Sequence, residues 1–133
     1  MSLRRAHIDE ITAYEAVDGQ LRWHPVRHHL DVRSFGTNAY TATSAGDMVV
    51  EPHDEDEFEE LYVVISGAAR FTVDDETFDA AQGTLVFVTP PSRREAYATE
   101  PGTTVLAVGG VPGKAFEVSE WESRWLRDAK PAA

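Results

Sequence analysis

The sequence predicts an all-β domain, an antiparallel sandwich or barrel, closed by one short C-terminal helix. Three observations predict it. Short β-branched and aromatic runs recur between regular Gly and Pro breaks at Gly46, Gly67, Gly83, Pro90-Pro91, Pro101-Gly102 and Gly109-Gly110. No helical stretch separates those runs, which removes a parallel α/β arrangement. Only the last segment carries a helix start signal. With 133 residues and no linker or repeat, the chain forms one domain.

Taken in order, residues 1–33 read as an N-terminal extension, and residues from about 35 to 110 as the barrel core. Ser34–Thr43 (SFGTNAYTAT) alternates mildly and gives a first strand. Glu60–Ile65 (ELYVVI), Arg70–Val73 (RFTV), Thr84–Val88 (TLVFV) and Thr103–Val108 (TTVLAV) are stronger strands. Asp74-Asp75-Glu76 falls where a hairpin turn is expected, since Asp tolerates a positive φ. Ser119-Glu120-Trp121-Glu122 has the spacing of a capping box and predicts a helix within residues 119–129. Trp121 and Trp125 are one turn apart on it. They suit packing on the parent domain better than an oligomer contact.

Composition sets limits on function. Twelve Lys and Arg oppose 23 Asp and Glu, a formal net charge of -11. That repels phosphate backbones and anionic lipid, so neither nucleic acid nor a membrane surface is an expected partner. There is no cysteine, which excludes thiol catalysis, disulfides and Cys-type zinc sites. No run is long and apolar enough for a membrane span, and the first ten residues lack a secretory core, so a cytoplasmic location is expected. No serine lies in a nucleophile elbow, and no glycine spacing fits a phosphate loop.

Seven of the 23 acidic residues fall in one decapeptide, Glu51–Glu60 (EPHDEDEFEE). A charge run is usually a solvated face. Here it leads directly into LYVVI, and His53 and Glu55, two apart on a strand, face the same way. A turn over residues 56–59 brings Glu60 back to the same place. One imidazole and two carboxylates then converge as a candidate divalent-cation site. The other five acids read as the solvated rim. On the strand after the turn, Tyr62 and Val64 share the face of Glu60. Phe71, Phe87 and Tyr97 are candidate walls of an interior pocket, with Tyr97 favoured because Arg93, Arg94 and Glu95 precede it. Arg93 and Arg94 equally suit a rim salt bridge to the acidic run. His7, His24, His28 and His29 read as surface or hydrogen-bonded residues before ligands.

These motifs resemble the cupin superfamily. Glu60 is followed by LYVVIS and then Gly67, as the first cupin motif requires, and six residues lie between Gly46 and His53, one more than usual. Gly83-TLVFVT-Pro90-Pro91-Ser92 resembles the second motif, and the 15 residues between Gly67 and Gly83 resemble the short spacing of small, single-domain conserved-barrel cupins. The resemblance implies a jelly-roll barrel, usually dimeric, with an interior site of three His and one Glu for Fe, Mn, Ni, Zn or Cu. In this sequence His53 takes the first His position, Glu55 the second, and Glu60 the Glu position. The last His position falls on Glu95 or on Arg94. With Glu95 inside, the set is oxygen-rich and suits a hard divalent ion. With Arg94 inside, its fixed charge replaces the metal and pairs with Glu55 or Glu60.

Three functions follow as expectations. The first is a barrel that binds a small organic ligand, with Tyr62, Phe71, Phe87, Arg94 and Tyr97 as its contacts. The second is a divalent-metal enzyme (Mn, Fe, Zn or Ni on His53, Glu55, Glu60 and Glu95) of oxygenase, isomerase or lyase type acting on a small polar metabolite. The third is a regulatory or interaction module that uses the acidic face. The expected assembly is a homodimer.

Overall fold

A computed structural model describes residues 2–132. A 3₁₀ turn at Ile8–Glu10 leads into β1 (Tyr14–Ala16), β2 (Leu21–His24) and a short helix α1 (Val26–Leu30). Then follow β3 (Gly36–Thr41), β4 (Met48–Glu55), β5 (Glu59–Ser66), β6 (Ala68–Val73), β7 (Glu76–Ala81), β8 (Leu85–Val88), β9 (Ser92–Ala98) and β10 (Thr104–Gly110). Helix α2 (Glu120–Asp128) and a two-residue strand β11 (Lys130–Pro131) end the chain.

The strands form one curled sheet of order β7-β6-β9-β4-β2-β3-β10-β5-β8, with β1 on β2 and β11 on β1. The all-β expectation holds. Its antiparallel character holds for every pairing but one, since β2 meets β4 in parallel at Leu21 and Met48. Residues 1–33 contribute β2 to the middle of the sheet. Leu21-Arg22-Trp23-His24 is too short and mixed in polarity to announce a strand. The Asp74-Asp75 turn forms as expected, with Asp74 at φ 52°.

The apolar core fills one end of the barrel. Val49, Tyr62, Val64, Ala69, Phe71, Ala96 and Val105 are its buried centre. Strand alternation places them there, because β4 begins in this core while β5 and β9 end in it. The opposite end, where β4 finishes and β5 begins, receives the charged residues.

Helix α2 lies against β2. Trp121 and Trp125 pack edge-on to each other at 4.7 Å between ring centroids, and to Trp23 at 5.9 and 5.3 Å. The tryptophans therefore pack on the parent domain. The expected capping box does not form. Ser119 is the N-cap residue but makes no side-chain cap bond. Glu122 turns inward instead, and its Oε2 accepts from Arg27 Nε at 2.7 Å. A buried guanidinium draws that carboxylate more strongly than a backbone amide does.

Candidate functional site

The open end of the barrel holds a cavity of about 220 Å³. Its walls follow from register. On β3, Gly36, Asn38 and Tyr40 alternate inward. On β10, Ala107 lies opposite Asn38 and Gly109 opposite Gly36. On β5, Tyr62 lies opposite Ala107 and Glu60 opposite Gly109. Two rows thus run across three strands, Asn38-Ala107-Tyr62 and Gly36-Gly109-Glu60. Phe58 closes one side, and Phe116, Ser119, Trp121 and Glu122 cover the mouth.

Strand β4 supplies Glu51, His53 and Glu55. A bulge makes this possible. Between Val50, which opposes Ala96, and His53, which opposes Arg94, β4 carries one residue more than β9. The extra residue reverses the alternation, so 51, 53 and 55 face the barrel after Val50 has already done so.

His53, Glu55 and Glu60 converge: each offers a ligand atom, and all three lie within 4.8 Å of one another. The convergence drawn from their spacing is therefore present. Arg94, with 0% exposure, faces the same interior. Its NH1 donates to Glu60 Oε1 at 3.0 Å, and its NH2 to Ser92 Oγ at 2.6 Å. Its Nε is buried with no partner among the described residues. Glu60 Oε1 also accepts from the Tyr62 hydroxyl at 2.9 Å and lies 3.5 Å from His53 Nε2.

The protonation pattern follows from these partners. His53 Nδ1 lies 2.8 Å from the Glu51 carbonyl, which can only accept, so Nδ1 donates. Burial lowers the His53 pKa, but the Glu60 carboxylate and that carbonyl outweigh it, and the net shift is upward. Burial raises Glu60, but His53, Tyr62 and Arg94 outweigh it, and its net shift is downward. Both shifts favour the charged forms, imidazolium and carboxylate. Burial raises the Glu51 carboxyl, and raises both the Tyr40 and Tyr62 phenols well above their ordinary range.

The remaining expected residues are placed as follows. Glu95 faces away from the interior, because Arg94, Ala96 and Ala98 take the inward positions of β9. Of the two residues offered for the last motif position, Arg94 is the one inside. Tyr97 shares the outward face of Glu95 and is 37% exposed. Phe87 opposes Leu61 rather than Tyr62, which puts it outside at 59% exposure. Phe71 is buried in the apolar core, stacked on Phe78 at 5.8 Å, and does not line the cavity. Tyr62 does line it. Arg93 makes the expected rim contact, 3.5 Å from Asp54, with both side chains exposed.

The other histidines are accounted for by structure. His24 is buried between the Ile11 carbonyl and Thr41 Oγ1, at 2.9 and 2.8 Å. His7 accepts the Asp9 amide, and His28 and His29 are exposed on α1. Sequence reasoning missed Asn38, Tyr40, Glu51, Phe116, Trp121 and Glu122 as cavity residues. The i, i+2 spacing of Glu51 and His53 is the signal that was available for Glu51. Nothing in the sequence marks the residues that cover the mouth.

A divalent metal fits this donor set poorly. The carboxylate it would need already carries the Arg94 guanidinium at 3.0 Å, a charge that cannot be removed by deprotonation. A metal on the imidazole would also need the nitrogen that faces Glu60 to be free of a proton. The arrangement suits a polar ligand held by carboxylates, an amide and phenols between aromatic walls.

Comparisons with known proteins agree on the fold. The AraC-like ligand binding domain family matches residues 36–129. A cupin protein from Bacteroides fragilis superposes with a TM-score of 0.60 at 16% identity, covering 90% of this chain and 88% of that one. A predicted oxalate decarboxylase from Thermotoga maritima gives a TM-score of 0.67 at 14% identity, covering 81% and 99%. A Klebsiella pneumoniae protein with a double-stranded β-helix domain gives 0.65 at 18% identity, covering 86% and 95%. At these identities the likeness is one of fold. No curated protein matches the sequence.

Proposed function

The chain belongs to the AraC-like ligand binding domain family and is a small cupin domain, and from that premise we propose that it binds a small organic molecule in the cavity under α2. The observation that carries this reading is Arg94, fully buried and hydrogen-bonded to Glu60. An ion pair stands where a cupin of metal type would place a ligand. The site is thereby left as a shaped pocket with preset polar groups. At about 220 Å³ it is smaller than the roughly 300–1,000 Å³ of drug-sized sites, so the ligand is a small metabolite. Trp121 lines the mouth, so occupancy changes its surroundings. Tryptophan fluorescence titrations with neutral, anionic and cationic metabolites test the reading. Saturable quenching or enhancement by one class supports it, and no response from any class contradicts it.

A second reading, a divalent-metal enzyme, draws on the grouping of His53, Glu55 and Glu60. It requires near-stoichiometric Mn²⁺ or Fe²⁺ after reconstitution, whereas the ligand reading requires none. We further propose that the protein is a homodimer. Leu85 and Phe87, on edge strand β8, are 64% and 59% exposed. They continue the outer face of Leu61 and Val63 on β5. An apolar sheet face of this kind is a favourable surface for a second copy. Among the described residues no helix is long and apolar enough to cross a membrane.

A further inference from the structure

The cavity exists because its floor is made of small residues. Gly36, Ala107 and Gly109 sit side by side on β3 and β10. Gly109 is constrained most tightly, since a Cβ there would meet the Glu59 carbonyl at 2.6 Å. The space left is edged by aromatic rings, among them Tyr40, Phe116 and Trp121.

The charge lining this space is unequal. Four carboxylates line it, those of Glu51, Glu55, Glu60 and Glu122. Two arginines answer two of them, Arg94 on Glu60 and Arg27 on Glu122. Among the described residues Glu55 accepts only the Phe58 amide, at a long 3.4 Å. The Glu51 side chain has no hydrogen bond or ion pair among the described residues, although burial already disfavours its charge. Even with His53 protonated, these four carboxylates outnumber the cations beside them by one, because Arg124, which also attracts Glu51, is ion-paired with Glu120. An anionic ligand would add to that excess. A cation would remove it, and ring faces favour a cation as well.

A second, independent group points into the same space. Asn38 is 7% exposed, and its Oδ1 accepts from Trp23 Nε1 at 2.8 Å. The indole N–H can only donate, so the oxygen end of the amide is fixed by it and the NH₂ end is the free one. That NH₂ has no partner among the described residues, and on a residue that lines the cavity it is available to an acceptor on a ligand.

We propose that the cavity binds a small organic ammonium ion, a protonated amine that also carries an acceptor oxygen, with its nitrogen on Glu51 and its oxygen on the Asn38 amide. This rests on the ligand-binding reading above and specifies the chemical class. Neither the Glu51 carboxylate nor the Asn38 NH₂ has a hydrogen bond to lose among the described residues, so each gains one on binding.

The test uses three near-isosteric probes on the purified full chain: 2-phenoxyethylammonium, 2-phenoxyethanol and phenoxyacetate. Each is titrated calorimetrically at about pH 7.5, where the amine is charged and the acid ionised. The ammonium is expected to bind roughly tenfold or more tighter than the alcohol, and the acid not at all. In Glu51→Gln the ammonium falls to the affinity of the alcohol. The comparison among probes stands in the wild-type protein alone, should the variant fold poorly. Equal or tighter binding of the alcohol or the acid overturns the proposal but leaves the ligand-binding reading in place. A Glu51→Gln protein that keeps the preference also overturns it. If none of the three probes binds, the proposal falls. If the wider metabolite panel is silent as well, the ligand-binding reading falls with it.

Discussion

A guanidinium with no access to water must have its charge answered from within the fold, and for Arg94 the answer is Glu60 at 3.0 Å. Removing it strands a largely buried carboxylate beside a void. Arg94→Ala is therefore expected to cost about 3 kcal/mol or more in a denaturant titration, by analogy with broken buried pairs. A loss of under ~1 kcal/mol would mean that water reaches Glu60 freely. His53 and Glu60 also set a pH dependence. The His53 pKa is raised above its ordinary 6.5, so its contribution is complete below that value and lost as pH rises through the folded one. The Glu60 pKa is lowered below 4.5, so its contribution is complete above that value and lost as pH falls through the folded one. In chelator-treated protein, stability should decline on the alkaline side of 6.5, and His53→Gln should flatten that limb. An alkaline limb unchanged by the substitution would contradict the pairing. At this scale, His53, Glu55 and Glu60 were legible because a spacing of two and a short turn suffice to unite them. Glu51 shares the same spacing with His53 but was passed over, because the β4 bulge that lets it face inward after Val50 leaves no mark on the sequence.

Elements were legible where hydrophobic alternation was strong and where a turn demanded a particular residue. ELYVVI lies in a strand throughout, and TLVFV and TTVLAV do so apart from their first residues, Thr84 and Thr103. Phe87 and Tyr97 show the limit of that reading. The strand of Phe87 was recognised and that of Tyr97 was not, and in both cases the register sends the side chain to the outer face. The capping box failed for another reason, since a distant arginine competes for Glu122 and local pattern cannot see it. Gly67 shows a turn residue with two demands. Its φ is +73°, and a Cβ there would meet Thr103 Oγ1 at 2.3 Å and Thr103 Cα at 2.7 Å. Thr103 is fully buried and accepts the Ala68 amide at 3.1 Å, so it has no room to retreat. Gly67→Ala should therefore cost about 2–5 kcal/mol from backbone strain and overpacking together. Gly46, at φ +94° with nothing within 4 Å, is the control, and its alanine variant should lose only the backbone part.

For the whole molecule, the motif spacing carried the barrel, while the covering of its mouth by residues 116–122 came only with the structure. Helix α2 was expected to lie against the strands, yet its role as a cavity wall depends on the Arg27–Glu122 pair and the tryptophan cluster. The acidic balance of -11 also gains a location, since four of the carboxylates line one cavity. The outer face formed by Leu61, Val63, Leu85 and Phe87 makes a separate prediction. Light scattering should give near twice the 14.7 kDa chain mass, and Phe87→Glu should shift it towards the single chain. A wild-type mass of one chain would refute the dimer. We propose that an arginine–carboxylate pair organises the polar end of the barrel in place of a metal. Elemental analysis of the purified, untagged protein after reconstitution with Mn²⁺ or Fe²⁺ and removal of free ion tests it most directly. Far less than one equivalent of metal per chain is predicted. Near-stoichiometric metal, lost in both His53→Ala and Glu60→Ala, would contradict it.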